Sequence, residues 1–599
     1  LAPAANLPEG ASCTATVVAA QIHDTDSADP PDTMAANEVF SFSTDAAPAV
    51  TSTSPINGTN GVAIDSTLTI TFSESVNATT SSFTLSCGGT GQSFTLSASP
   101  ASVYTLTPTA SLPANTLCTA TVLAAQIHDS DSADPPDTMA ADEVFSFSTD
   151  AAPTVTSTSP ITSTTSVTFT SNIVVNFSES VSATTSSFTL SCDGSSQSFT
   201  LSVSPATSFT LNPTSDLAPG SICTVTVLAA QVHDSDSADP PDTMAANYIL
   251  SFAVAPNAVN DSHSGVGNTL LEVGVTPSGA PALKRTGSLL DNDISASALA
   301  VTAGTVASTQ GGSATINADG SFSYLPPAGY TGADSFSYTV TDANGSTDTA
   351  SVTITLASMV WYVNNTASSG DGRSSSPFST LAAAQTASAI NDYIYVDRGD
   401  GTSSGQNAGI TLKNGQQLLG ENVALIIGAD TLNPGSSAPT IGNSGGAGIT
   451  LAQNNTVRGL NIGSTTGAAI SGSSFGTLAL DTVALSTGNA ALSLSSGTAN
   501  ATFSAVTSSG GTNNVSLTSV DGTLNLGSGA LSGASGNAFA VSGGAGTISY
   551  AGTISNSAAD VVNIQNKTGG TVAFSGAVSS TSTGVTLLNN TGATITFSG

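Results

Sequence analysis

Residues 126–153 read QIHDSDSADPPDTMAADEVFSFSTDAAP, and this stretch occurs three times in the chain. Residues 21–48 give QIHDTDSADPPDTMAANEVFSFSTDAAP and residues 231–256 give QVHDSDSADPPDTMAANYILSFAVAP. The histidines His23, His128 and His233 set a period of 105 residues. Working upstream, FSESVNATTSSFTLSC (72–87) recurs as FSESVSATTSSFTLSC (177–192) at the same offset, and GQSFTLSASP (91–100) recurs as SQSFTLSVSP (196–205). Repetition on this scale marks repeated domains rather than one large core. The upstream half has no counterpart before Cys13, so residues 1–46 are expected to be the back half of a module.

Within a module LTITFSES, SFTLS, CTATVLAA and VFSFS alternate apolar with small polar residues, and Pro, Gly, Asn or Asp separate them. About seven short strands in ~100 residues predict a sandwich of two antiparallel sheets. The order TSTSPINGTNGVAIDSTLTITFSESV (51–76), a central strand pair, then VFSFST (144–149) resembles the bacterial Ig-like domains of S-layer and large surface proteins. The next module has ITSTTSVTFTSNIVVNFSES (161–180) where that family places a Gly-Val turn, so its first hairpin is expected to differ. In this frame Cys87 pairs with Cys118 and Cys192 with Cys223, 31 residues apart in each case, while Cys13 takes the Cys118 position and is left over through truncation. Five unrelated buried thiols are the alternative. Disulfides would place the chain in an oxidising compartment, outside the cell.

Residues 255–357 carry AVNDSHS, GSLLDNDIS and GGSATINADGSFSYLPPAGYTGADSFSYTVTDANGSTDTASVTITL. Asp319-Gly320 predicts a hairpin turn, and DSFSYTVTD an alternating strand. The motif set resembles the cadherin-like tandem domains of very large secreted bacterial adhesins. Residues 358–599 are poor in Pro and rich in Gly, Ser and Thr. Here Ile449, Ile470, Leu492, Val515, Phe539, Val562 and Val585 recur every 21–24 residues, and Phe503, Leu526, Tyr550, Phe574 and Phe597 form a second such column. A drifting period near 23 predicts stacked parallel coils. The opening WYVNNTASSGDGRSSSPFSTLAAAQTASAINDYIYVDRGDG resembles the first coils of right-handed β-helices of the pectin-lyase-like type. Within it PFSTLAAAQTASA predicts a short helix covering the end of the stack, where open strand edges must be shielded. TGATITFSG ends mid-rhythm and is read as a truncated stack.

The expected fold is therefore all-β: tandem Ig-like β-sandwiches followed by a right-handed parallel β-helix. The expected units are a half module (1–46), Ig-like modules (47–151 and 152–254), a cadherin-like sandwich (255–357) and the β-helix (358–599).

The repeated HDxDxxDPPD loops concentrate carboxylates. They hold Asp24, Asp26, Asp29 and Asp32; Asp129, Asp131, Asp134 and Asp137; and Asp234, Asp236, Asp239 and Asp242. Calcium takes six to eight oxygens, which such a loop can supply from carboxylates and carbonyls; a solvated acidic loop is the plainer alternative. Asp291 and Asp293, with Asp261 and Asp342, make a second possible calcium site implied by the cadherin-like resemblance. One imidazole beside Asp, as at His128, is a poor transition-metal site.

The net charge of −33, from 40 acids and 7 bases, argues against nucleic acid as a partner. Disorder is excluded by 39% hydrophobic and 8% charged residues. No apolar run of about 18 residues predicts a membrane span. Acids are scattered singly through 358–599, apart from Asp397 and Asp400, and no histidine occurs there, so no catalytic set is expected. The reading is a non-catalytic extracellular or bacterial cell-surface protein, an adhesin or stalk. Its Ig-like modules would act as a spacer and its β-helix as a repetitive surface for cell-surface glycans or proteins. A polysaccharide-acting enzyme with its catalytic residues in coils beyond these, and an S-layer or filament component, are the alternatives. Of the excess acids 23 lie in residues 1–256, where no Lys or Arg occurs before Lys284.

Overall fold

The computed structural model describes every residue except 27, 132–134 and 236–239. It is nearly all β and divides into two compact units, Leu1–Val254 and Ala255–Gly599.

In the first unit, residues 47–150 form a two-sheet sandwich. One sheet runs Thr59–Val62, Glu143–Thr149, Leu117–Val122, Phe83–Cys87, Thr90–Gly91. The other runs His128–Asp129, Leu68–Asn77, Ala101–Pro108, Phe94–Leu96, with Val50–Ser54 also on Leu68–Asn77. Leu68, Ile70 and Phe72 point inward because alternate residues of a strand share a face. The register then slips between Thr71 and Val76 opposite Ala101–Pro108. This bulge takes Ser73, Glu74 and Ser75 out of the ladder with that neighbour. Phe72 and Phe83 pack on Tyr104 with centroids 5.9 and 5.7 Å apart, and the buried Tyr104 hydroxyl donates to the Val76 carbonyl at 2.7 Å.

The same plan repeats 105 residues on, with Phe177, Phe188 and Phe209 in those places. Its first hairpin does differ: the parallel strand Thr59–Val62 is reduced to a single bridge between Val167 and Val254. Disulfides join Cys87 to Cys118 and Cys192 to Cys223, residues directly opposite on neighbouring strands of one sheet. Cys13 is free. Ser12–Val17 and Glu38–Ser43 form a two-stranded ribbon on which Phe40 and Phe42 are exposed, whereas their equivalents Phe145 and Phe147 are buried.

The second unit begins with another sandwich. The predicted hairpin joins Ser313–Ile316 to Phe322–Leu325, and Gly320 adopts φ +80°, which a side chain would strain. The strand Thr347–Val363 is 17 residues long and serves two structures. Its first part pairs with Gly332–Asp342 and Asp261–Gly267 in the sandwich. Its last four residues, Val360 to Val363, pair in parallel with Tyr393–Val396 and start a β-solenoid of about nine turns over residues 393–597.

The first apolar column is in direct register: Ile449, Ile470, Leu492, Val515, Phe539, Val562 and Val585 are successive partners. A second face stacks Trp361, Ile394, Leu418, Val457, Leu480, Ala501, Leu524, Ile548, Val572 and Ile595. Tyr550, Phe574 and Phe597 lie in register two residues further along that face. The helix Leu381–Ala387 covers the stack where it was expected, burying Leu381 and Ala384 against the solenoid core. Thr380 caps it by accepting the Ala383 amide at 3.3 Å. A hairpin, Leu425–Ile427 with Asp430–Asn433, leaves the coil and is held to the sandwich by a two-pronged Arg285–Asp430 pair, 2.8 Å on each prong.

Calorimetry of the full chain should separate these parts. Replacing Cys87 and Cys118 together by serine is expected to cost that module about 3 kcal/mol, the loop entropy the bond removes, and to leave the solenoid transition unmoved. Phe539→Ala should cost the solenoid roughly 3–5 kcal/mol, because Phe539 is fully buried against Phe574 and Tyr550.

Candidate cation site and a carboxylate cleft

Each acidic loop is closed in the same way. The Asp129 amide donates to the Asp137 carbonyl at 3.1 Å, and His128 bridges to Thr138. The equivalent bonds, Asp24 to Asp32 and Asp234 to Asp242, are 3.2 and 3.0 Å. In the middle copy His128 and Asp129 add a short strand beside Asn77 and Val76, and Asn77 Nδ2 donates to the Asp129 carbonyl at 3.0 Å. This docking lays Asp129 next to the bulge that carries Glu74. The Ala49 amide donates to Ser73 Oγ at 3.0 Å and the Ser73 amide returns to the Ala49 carbonyl at 2.8 Å, fixing the connection that bears Asp45 on the same strand.

One oxygen from each of Asp45, Glu74 and Asp129 then lies within 4.8 Å of the others. Asp129 is 1% exposed, and neither of its carboxylate oxygens has a hydrogen-bond partner among the described residues. Burial raises its pKa, helped by the charges of Asp131, Asp137 and Asp45, and the nearby Asp131 amide only partly opposes them. Glu74 is raised likewise, by burial first and then by Asp45 and Asp129. Asp24, Asp26, Asp29 and Asp131 are exposed, while Asp32, Asp137 and Asp242 are half-buried. Asp234 is buried like Asp129. Asp134, Asp236 and Asp239 lie outside the described residues.

The acids of the next sandwich serve local structure. Asp291 accepts the Ser288 amide at 3.0 Å, and Asp293 accepts the Val259 amide at 2.7 Å. Asp342 Oδ1 accepts amides within its own turn. Asp261 and Asp293 both lie at the Tyr338 hydroxyl, and burial raises the pKa of each. A separate cleft of about 470 Å³ is lined by Asp397, Arg398, Glu421, Asn364 and Ser436, among others. Burial, then the Glu421 charge, pushes Asp397 up to about 7. Glu421 itself is engaged: one oxygen accepts the Arg398 amide at 2.6 Å and the other the Ser436 hydroxyl at 2.7 Å.

The bacterial Ig-like domain profile matches residues 45–149 and again 150–254, and the bacterial Ig domain profile matches residues 253–355. Residues 45–254 are two bacterial Ig-like domains. Among solved structures the chain is similar to the I9–I11 tandem of titin, at 10% identity and TM-score 0.21, covering 52% of this chain and all of that one. It is also similar to protocadherin gamma B2 extracellular cadherin domains 3–6, at 11% identity and TM-score 0.19, covering 59% of this chain and 96% of that one. A third is the N-terminal part of the bacterial S-layer protein SbsC, at 15% identity and TM-score 0.14, covering 34% of this chain and 44% of that one. No curated protein matches the chain. Among the described residues no helix is long and apolar enough to cross a membrane.

Neither Asp45 nor Glu74 belongs to an acidic run, yet both repeat with the modules. Asp45 recurs as Asp150 in STDAAP, and Glu74 as Glu179 in FSES, both at the 105-residue offset.

For the cleft, the sign of the pH dependence follows from Asp397. A carboxyl raised to about 7 stabilises the fold below its unfolded value near 4, and that contribution is lost as pH rises through 7. Asp397→Asn should therefore leave solenoid stability unchanged at pH 4 and raise it at pH 8, by on the order of 2–4 kcal/mol. Urea unfolding of the two proteins across that range measures the difference.

Proposed function

We propose that this is a non-catalytic extracellular protein of the bacterial cell surface. Its Ig-like domains are a spacer, and its β-solenoid is a repetitive contact surface for cell-surface glycans or proteins. The observation that carries this reading is the in-register stacking of small, mostly polar side chains on the outside of the coils, with one alanine in each ladder. Ser471, Ser493, Ser516, Ala540, Asn563 and Thr586 occupy one ladder position, and Asp481, Thr502, Asn525, Ser549, Ala573 and Thr596 another. Successive rungs lie about 4.8 Å apart. A ligand with its own repeat meets similar groups many times, and weak contacts sum to avidity without any single deep pocket. Disulfides in both Ig-like domains fit an oxidising, exported setting.

The cleft at Asp397 favours a second reading, a polysaccharide-acting enzyme, because a carboxyl held near pH 7 beside a second carboxylate has the form of a general acid. Against it, both Glu421 oxygens are already engaged in holding the local backbone.

One set of measurements separates the two. The full chain is applied to glycan arrays and to intact cells, and acidic and neutral polysaccharides are assayed for new reducing ends or unsaturated sugars. Saturable binding that strengthens with surface density, without product release, is expected. Release that is abolished by Asp397→Asn would replace the contact-surface reading with the enzymatic one.

A further inference from the structure

We propose that Asp45, Glu74 and Asp129 form a calcium site that clamps the connection entering the first complete Ig-like domain onto that domain. The argument rests first on Asp129. A carboxylate at 1% exposure with two oxygens lacking donors is a costly group to fold around. It is also aimed at two further carboxylates rather than at a base. Residues 1–283 contain no Lys or Arg, and the neighbouring His128 is exposed and makes no ion pair among the described residues. Nothing in the surrounding chain supplies a neutralising charge, so the cation comes from solution.

Spacing and donor type are both compatible with calcium. Calcium–oxygen distances of about 2.3–2.6 Å let oxygens on opposite sides of one ion stand up to roughly 5 Å apart, whereas magnesium at about 2.0–2.1 Å allows only about 4 Å. The oxygens here lie within 4.8 Å of one another, inside the reach of a calcium shell. The donor set is all carboxylate, without the imidazole or thiolate that zinc or copper prefers. Three carboxylates give three to six ligand oxygens, and water or loop carbonyls complete the shell.

The three ligands come from three pieces of chain: the connection after Glu38–Ser43, the bulged part of Leu68–Asn77, and the acidic loop. An ion held by all three therefore fixes how the connection leaves its strand. Asp150, Glu179 and Asp234 repeat the three positions at the start of the second domain.

The test uses the full chain, stripped with a chelator, and calcium chloride as the probe, with magnesium and sodium chloride at matched ionic strength as controls. Equilibrium dialysis should find calcium bound with a dissociation constant of roughly 10⁻⁵–10⁻³ M, and saturating calcium should raise the melting temperature of the Ig-like domains by about 5–10 °C. Asp129→Asn and Glu74→Gln should each remove one bound calcium per chain or weaken it more than tenfold. Asp26→Asn, an exposed loop position, should leave binding as it is. In chelator, Asp129→Asn should melt at or above the unmodified chain, since it removes an uncompensated charge. No calcium-specific binding up to 10 mM, full binding by Asp129→Asn, or a lower melting temperature of that variant in chelator would each overturn the proposal.

Discussion

Everything in the second unit hangs from the backbone ladder of one strand, Thr347–Val363. A parallel coil cannot start by itself, because its first strand would leave a row of amides and carbonyls without partners. Here the sandwich supplies that first strand already hydrogen-bonded. Trp361 sits opposite Ile394, and Ile394 opposite Leu418. Since side chains alternate with period two, this choice of register decides which residues of every later coil face inward. Two hydrophobic cores meet at the strand as well: Met359, Trp361 and Val363 belong to the solenoid interior, while Val360 and Tyr362 belong to the core continuous with the sandwich.

The legibility of the fold in the sequence tracks this geometry. The column from Ile449 to Val585 could be read directly, because those coils differ in length by at most three residues and each keeps an apolar residue at the same rung. The earlier coils resist such reading. Leu418 and Val457 are direct partners although 39 residues separate them, since the hairpin around Asp430 leaves the coil between them. An insertion preserves the ladder while destroying the spacing. The acidic site was legible only in part for a related reason. HDSDSADPPD announces its carboxylates locally, but Asp129 meets Glu74 through strand pairing across 55 residues and meets Asp45 through the bonds of Ala49 to Ser73. Pairing partners distant in sequence carry no local pattern, and a single Glu among serines reads as a surface residue until the bulge that turns it is known.

Both units carry excess acid, but only the second holds any Lys or Arg, and the difference bears on what each needs from outside. In the second unit several of the scarce bases are matched to acids or carbonyls: Arg285 with Asp430, Arg373 with Asp371, Arg458 with Asp481, and the buried Lys567 amine with the Gly546 carbonyl at 2.6 Å. The Ig-like unit has no Lys or Arg with which to do the same. A wholly exposed set of carboxylates would tolerate this, since water and salt screen charges more than about 10 Å apart. Asp129 is not exposed, and its neighbours lie well inside that distance. Mutual repulsion then opposes the docking that brings the acidic loop, the bulge and the connection together, unless a cation joins them. Low basic content in this unit thus bears on local geometry as well as on net charge. On the proposed calcium site, the geometry at the start of the domain follows the concentration of cation around the chain, because no base of the unit can take the ion's place.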